Sequence, residues 1–259
     1  MKRTIFFMFL AAITIFFTTG AYAQCGHAKW VLYDNFDSYA DIEEMKASPK
    51  WNISEADEEI ANFSIEDGRL KIEHLADKPD DSAWAQLTKK PEKMLGIHAT
   101  MKVESWAGDV RVRIGADYGV VHENFDHLVW YQMQLRHRYA DWIENNQEYV
   151  AGNISVLDSL NNFDWLYDLF YTELGNGKRI IVGVPYMITA KWYEEQAYFG
   201  VDDPDDVGEV KFWLTEKIDK IDEPFRAIGT RSSNPEGKCV VYIDDVYVYK
   251  YLYRHRHRH

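Results

Sequence analysis

The chain is poor in cysteine, in basic residues and in helical pattern, and each shortage removes a class of protein. Only Cys25 and Cys239 occur among 259 residues, without the spacing of a zinc-ligand set, so a finger or ribbon is excluded. Lys and Arg total 29 against 42 Asp and Glu, for a formal net charge of −13. A field of that sign repels nucleic acid and anionic membrane surfaces, and neither is expected as a partner. The one long apolar run, Ile5 to Phe17, is too short and wrongly flanked for a permanent membrane span. No repeat, low-complexity linker or shift of composition marks a second domain. His122 and His127 share a loop, and His74 and His98 stand apart, so no histidine cluster suggests a metal.

What is present begins with an export signal. Lys2 and Arg3 precede the apolar run, and Ala21-Tyr22-Ala23 follows it as a cleavage site. Residues 1–23 are therefore expected to be removed, leaving a mature chain from Gln24 that is secreted, periplasmic or extracellular. Gln24 is a poor residue before a lipidated cysteine, which disfavours an anchor on Cys25. An exported protein with two cysteines invites a disulfide, and a Cys25–Cys239 bridge and two unbridged thiols both stand open. Residues 254–259, Arg-His-Arg-His-Arg-His, form a basic tail that reads as an exposed end. Sequons occur at Asn52, Asn62 and Asn153.

Between these ends the pattern is short strands and tight turns. Trp30 to Phe36 reads as a first strand. Asp41 to Lys46 suggests one helical turn stopped before Pro49. The run Glu55 to Glu59 reads as a solvated acidic loop. Asn62 to Glu73 is a hairpin around Asp67-Gly68. Further strands are expected over 83–88, 97–105, 110–116, 128–138, 153–158, 165–173, 179–182, 186–192, 196–201, 209–215, 226–231 and 240–249. Residues 139–148 read either as a short helix or as a wide loop. Many short strands at near-regular spacing argue for an all-β fold, a two-sheet antiparallel jelly-roll sandwich over residues 24–253.

The closing strand, Val240 to Tyr249, is dense in β-branched and aromatic residues but interrupted by Asp244-Asp245. Its Tyr242-x-Asp244-x-Val246-x-Val248-Tyr249 resembles the last strand of the concanavalin A-like lectin/glucanase superfamily, with its LamG-like and glucanase-like jelly rolls. Asp34-Asn35-Phe36, Asp67-Gly68-Arg69-Leu70, Pro185-Tyr186 and Ile228-Gly229-Thr230-Arg231 follow the same order along nearly the whole mature chain. The resemblance implies that the first and last strands lie together and that a concave sheet carries the ligand or the active site. It also implies a structural Ca²⁺ held by the residue matching Asp244, with Asp34, Asn35 and Asp245 as neighbours. Hard cations take such oxygens; the competing reading puts Asp244 and Asp245 at a bulge facing water.

Catalytic motifs are weak. Retaining glycosidases of this superfamily carry Glu-x-Asp-x-x-Glu or Glu-x-Asp-x-Glu on a strand, aiming two carboxylates at the sugar. Only Glu55-Ala56-Asp57-Glu58-Glu59 has that spacing, and no strand alternation surrounds it. Arg111, Arg113, Gln132, Gln134, Arg136 and His137 supply the residue types of a polysaccharide lyase, but neither Gln-Ile-His nor Arg-x-Glu-Leu-Arg is present. No catalytic residue is assigned. Alternation puts Val110, Val112 and Ile114 on the core side of one strand, so Arg111 and Arg113 share the wet side. By the same logic Trp130, Gln132, Gln134 and Arg136 face water in the next strand. An aromatic ring beside amides and guanidinium groups suits a polysaccharide, an acidic one above all. The leading expectation is a non-catalytic lectin-like domain binding a polysaccharide on that face. A lyase or glycoside hydrolase on the same scaffold, and a structural envelope protein, are the alternatives.

Overall fold

The computed structural model describes residues 27–75, 82–87, 94–117, 128–138, 147–157, 163–171, 180–193, 196–202, 210–214, 227–233 and 235–252. One compact unit runs from Trp30 to Lys250. Its elements in chain order are β1 (His27–Asp34), α1 (Ile42–Ala47), β2 (Trp51–Asn52), α2 (Glu55–Ile60), β3 (Ala61–Glu66), β4 (Arg69–His74), β5 (Ser82–Leu87), β6 (Met94–Ala107) and β7 (Val110–Asp117). They continue with β8 (Leu128–Arg138), β9 (Gln147–Leu157), β10 (Phe163–Tyr171), β11 (Pro185–Tyr193), β12 (Gln196–Asp202), β13 (Val210–Leu214), β14 (Ala227–Ser232) and β15 (Lys238–Leu252). The ladders joining β2 to β15 are antiparallel.

Two sheets pack face to face, giving the jelly-roll sandwich that the strand spacing predicts. The 8-stranded sheet runs β13-β12-β11-β6-β15-β4-β3, with β1 also paired to β15. The 7-stranded sheet runs β10-β9-β8-β7-β14-β5-β2. The first and last strands do lie together. Inward residues of both sheets fill one core, among them Leu70, Ile72, Met101, Ile188 and Phe199 from the larger sheet and Val112, Ile114, Met133, Leu135 and Ile228 from the smaller. Each such side chain contributes roughly 1.5–3 kcal/mol by leaving water. A polar link joins the two sheets across this core: His74 Nδ1 and Thr230 Oγ1 meet at 2.9 Å.

Local chemistry explains where the elements begin and turn. In the β3–β4 hairpin, Asp67 (φ 51°) and Gly68 (φ 70°) both adopt the left-handed conformation of a type I′ turn. Asp41 caps α1 by accepting the Glu44 N–H. The acids of β15 sit at a bulge: Asp244 pairs Thr100, the next pair along the ladder is Tyr247 with His98, and Asp245 has φ 47°. One inserted residue shifts the alternation. Val241 and Ile243 before it and Val246 and Val248 after it therefore all point into the core.

Two expectations are corrected. The acidic run is not a loop but the helix α2, started by a capping box in which Ser54 and Asp57 bond each other's backbone N–H. Ser54-x-x-Asp57 carried that signal, and the charge density hid it. Asp57 is buried, and its other oxygen accepts the Trp84 N–H at 2.9 Å. A helix also removes the glycosidase spacing at Glu55 to Glu59 from any strand. The expected strand over 179–182 is absent at its described end: Ile180 and Ile181 belong to no strand, and Val182-Gly183 is a turn. The Gly183 N–H bonds Val103 O, so this segment docks on β6 without joining a sheet.

Candidate anion-binding face

The two groups of residues singled out by the sequence have different fates. Around β1, Asp34 is buried at 3% exposure and saturated by donors. Its Oδ1 accepts the Phe36 N–H at 3.1 Å. Its Oδ2 accepts Tyr39 O–H at 2.7 Å and Trp51 Nε1–H at 2.8 Å, and Lys50 Nζ lies 3.4 Å away. The carboxylate thereby holds Phe36 in a left-handed conformation (φ 60°) with its ring fully buried beside Trp51. Burial first, and then the Asp34 charge, push the Tyr33 phenol up to about 12. The Tyr39 phenol also rises to about 12, chiefly by burial and through its bond to Asp34.

These residues do not fit a calcium cradle. Asp34 has spent its oxygens on protein donors. Asn35 donates to Asp37 at 2.7 Å, and Asp244 accepts the N–H of the exposed Asp245 at 2.8 Å. Burial and the nearby Asp245 and Asp37 raise the Asp244 carboxyl above its usual range. Among the described residues no group of three or more His, Cys, Asp or Glu is placed to hold a metal. The bulge reading of Asp244-Asp245 is the one the backbone bears out. Cys239 is a buried unbridged thiol, pushed up to about 12 by burial, and Cys25 lies outside the described residues.

The second group comes together on the outer face of the seven-stranded sheet. Val110, Val112, Ile114, Met133 and Leu135 do take the core side. Antiparallel register then aligns their neighbours across strands. Arg136 pairs Arg111, and Arg111 pairs Arg231. One step along, Gln134 pairs Arg113, Arg113 pairs Gly229, and Gly229 pairs Trp84. Gln132 pairs Gly115, and Trp130 pairs Asp117, as backbone positions in the same ladder; the side chains of Trp130 and Gln132 lie outside the described ones. The face is as expected, but it is not wet. Arg111, Arg113 and Gln134 are 8%, 0% and 1% exposed. Alternation reports which side of a sheet a residue takes, not what lies over that side.

Electrostatics in this row are lopsided. Arg136 makes a two-pronged pair with Asp109, through Nε and Nη2 at 2.9–3.0 Å. Arg111 donates from Nη2 to Ser233 Oγ, while its buried Nε has no partner among the described residues. Burial holds the Arg111 guanidinium well below its usual range, and the neighbouring Arg136, Arg231 and Arg113 add to this against Asp109. Arg113 lies 3.7 Å over the Trp84 ring. That ring occupies the space a side chain at position 229 would need: a Cβ there would meet Trp84 Cε3 at 2.6 Å and Ala83 O at 2.3 Å. Trp84 and Arg231 are members of the face that the sequence reading missed. The small core-side Ala83 and Ala85 flanking Trp84 were the available signal.

No family model matches the chain, and no curated protein does. Among solved structures it is similar to the legume lectin-like domain from Entamoeba histolytica, at 8% identity over 86% of this chain and 99% of that one, with a TM-score of 0.51. It is also similar to the exoplasmic/lumenal domain of VIP36 in its Ca²⁺-bound form, at 10% identity over 89% and 94% of the two chains, again with a TM-score of 0.51. The fold is the concanavalin A-like jelly roll. The resemblance of the closing strand and of the Asp-Asn-Phe turn pointed to the right architecture. Within this jelly roll the described N- and C-terminal strands share the larger sheet, and the arginine row belongs to the smaller one.

Proposed function

We propose that this chain is an exported, non-catalytic carbohydrate-binding domain that holds an acidic polysaccharide on the outer face of its seven-stranded sheet. The observation that carries the reading is the row Arg136–Arg111–Arg231 with Arg113 beside it, centred on a buried Arg111. Burying a cation among other cations is costly unless a counter-charge arrives. In a chain of net charge −13 such a cluster is a local inversion of sign that focuses an anionic ligand. Gln134 adds an amide donor and acceptor for hydroxyls, and Trp130 and Gln132 extend the ladder along β8. The lectin domains with this fold make a glycan the ligand class to favour. Export follows from the signal over residues 1–23, with a mature domain over 24–253. The placement of Glu55 to Glu59 on a helix supports a non-catalytic role.

The test is calorimetric titration of the mature protein with neutral and acidic polysaccharides, alongside Arg113→Ala, Gln134→Ala and Trp130→Ala, each checked for folding. Binding of acidic polymers that weakens in these variants is the expected result. Wild-type-like binding in all three removes this face from consideration. Formation of unsaturated or reducing ends during incubation contradicts the non-catalytic part.

A further inference from the structure

The outer face of the eight-stranded sheet carries an aromatic cluster that the arginine row does not involve. Ile97 in β6, Ala190 in β11, Phe199 in β12 and Val248 in β15 point into the core. Their neighbours Gly96, His98, Lys191, Tyr198, Tyr247 and Tyr249 therefore take the outside. Register aligns Tyr198, Lys191, Gly96 and Tyr249 in one row across four strands. Gly96 puts no side chain in that row, and Lys191 Nζ lies 4.7 Å from the Tyr198 ring centre and 4.8 Å from that of Tyr249. Val31 of β1 packs against the core, so Trp30 joins the same outer face. Its ring lies 4.1 Å from His98, tilted by 31°, and 5.0 Å from Tyr249. Tyr247 lies 4.7 Å from His98.

Elsewhere such rings use their polar atoms within the protein: Tyr33 on Lys50 O, Tyr39 and Trp51 on Asp34, Tyr242 on Glu66. Here they do not. Among the described residues none makes a hydrogen bond to the side chains of Trp30, Tyr247 or His98, and His98 is only 9% exposed. Burial lowers the His98 imidazole to about 4 and so keeps it neutral. A polar group withdrawn this far from water is costly until a partner answers it. Half-buried Trp30 and Tyr247, with an indole N–H, a phenol and an imidazole unanswered, match a pyranose. Its C–H face packs on a ring and its hydroxyls meet the polar tips. The next row on this face joins Asp202, Met187, Thr100 and Asp244, and its two carboxylates turn away an anionic polymer. A net charge of −13 on each chain opposes a second copy as the occupant. We propose that this face is a second carbohydrate site, which takes a neutral glycan on Trp30, His98 and Tyr247. The site lies on the other sheet from the arginine row and does not rest on the anionic reading of that row.

The experiment screens the full mature chain on an array of neutral α-glucan, β-glucan, mannan and xylan oligosaccharides. Calorimetry on the strongest binder then compares wild type, Trp30→Ala and Tyr247→Phe. Thermal melts check folding, and Tyr247→Phe, which removes one hydroxyl, suffices if Trp30→Ala does not fold. Trp30→Ala is expected to weaken binding about tenfold and Tyr247→Phe about fivefold, the worth of a ring stack and of one hydrogen bond. Saturating polygalacturonate is expected to leave the neutral sugar bound. No binding on the array, or binding that neither substitution weakens, overturns the proposal. Displacement by polygalacturonate places both ligands on one face and overturns it too, while the acidic-glycan reading stands. Trp30-dependent self-association in sedimentation makes the face an interface between copies and likewise overturns it.

Discussion

Two buried charges in this molecule, Asp34 and Arg111, are treated in opposite ways. Asp34 at the end of β1 is surrounded by donors: a backbone N–H, a phenol, an indole and a lysine. Arg111 in β7 is surrounded mostly by its own kind, and one of its N–H groups meets no described acceptor. The first is a finished structural device that ties the Asp34-Asn35-Phe36 turn to β2. The second is, on the proposed reading, a site whose counter-charge is supplied by the ligand. Sequence reasoning nominated both as binding residues. What separates them is whether the protein supplies the partners itself.

This contrast can be broken by mutation. Asp34→Ala leaves three buried donors unanswered and is expected to cost about 4 kcal/mol in urea unfolding. The loss should be the same with and without a chelator if the protein's own donors are what Asp34 serves. A loss that appears only in the presence of calcium would return Asp34 to the metal-site reading. Gly229→Ala forces a Cβ against Ala83 O and Trp84, so a cost of about 2 kcal/mol is expected. The displaced Trp84 should loosen Arg113 and reduce acidic-glycan binding along with stability. Arg111→Met should go the other way. Replacing a buried cation among cations by an apolar side chain is expected to be neutral or stabilising by about 1 kcal/mol, while binding is lost. A destabilisation as large as that of Asp34→Ala would show that Arg111 is structural too.

The mildest effect is alkaline. The Tyr33 and Tyr39 phenols are raised to about 12 in the folded chain, against about 10 unfolded. Their contribution to stability is therefore complete below pH ~10 and is lost as pH rises through ~12. Phenolate absorbance should show two tyrosines titrating late. Asp34→Asn should bring both downward by removing the carboxylate beside them, and an unchanged titration would break the link to Asp34.

Much of the architecture was legible because its signals are local. Asp67-Gly68 announces a hairpin, alternation in Val110 to Ile114 and in Val129 to Leu135 announces faces, and Val240 to Tyr249 announces a core strand. The face of Arg111, Arg113, Gln134 and Arg136 was read correctly for the same reason. The burial of that face was not, since nothing in a strand's own alternation records what covers its other side. The helix at Glu55 to Ile60 was missed because charge density outweighed a capping signal four residues long. The partners of Asp34 are distant in sequence: Tyr39, Lys50 and Trp51 surround it, and no spacing near Asp34 foretells them. Trp84 and Arg231 reach the arginine row through strand order, with β14 lying between β5 and β7, which is set by the topology and not by either strand.

The most direct test of the central claim follows the Nε–H resonance of Arg111 by NMR, assigned through Arg111→Gln, during titration with an acidic polysaccharide. If the row is an anion site completed by its ligand, this signal shifts and its exchange with water slows in step with binding. Binding of the polysaccharide that leaves the Arg111 signal unmoved, while resonances elsewhere respond, would contradict the account.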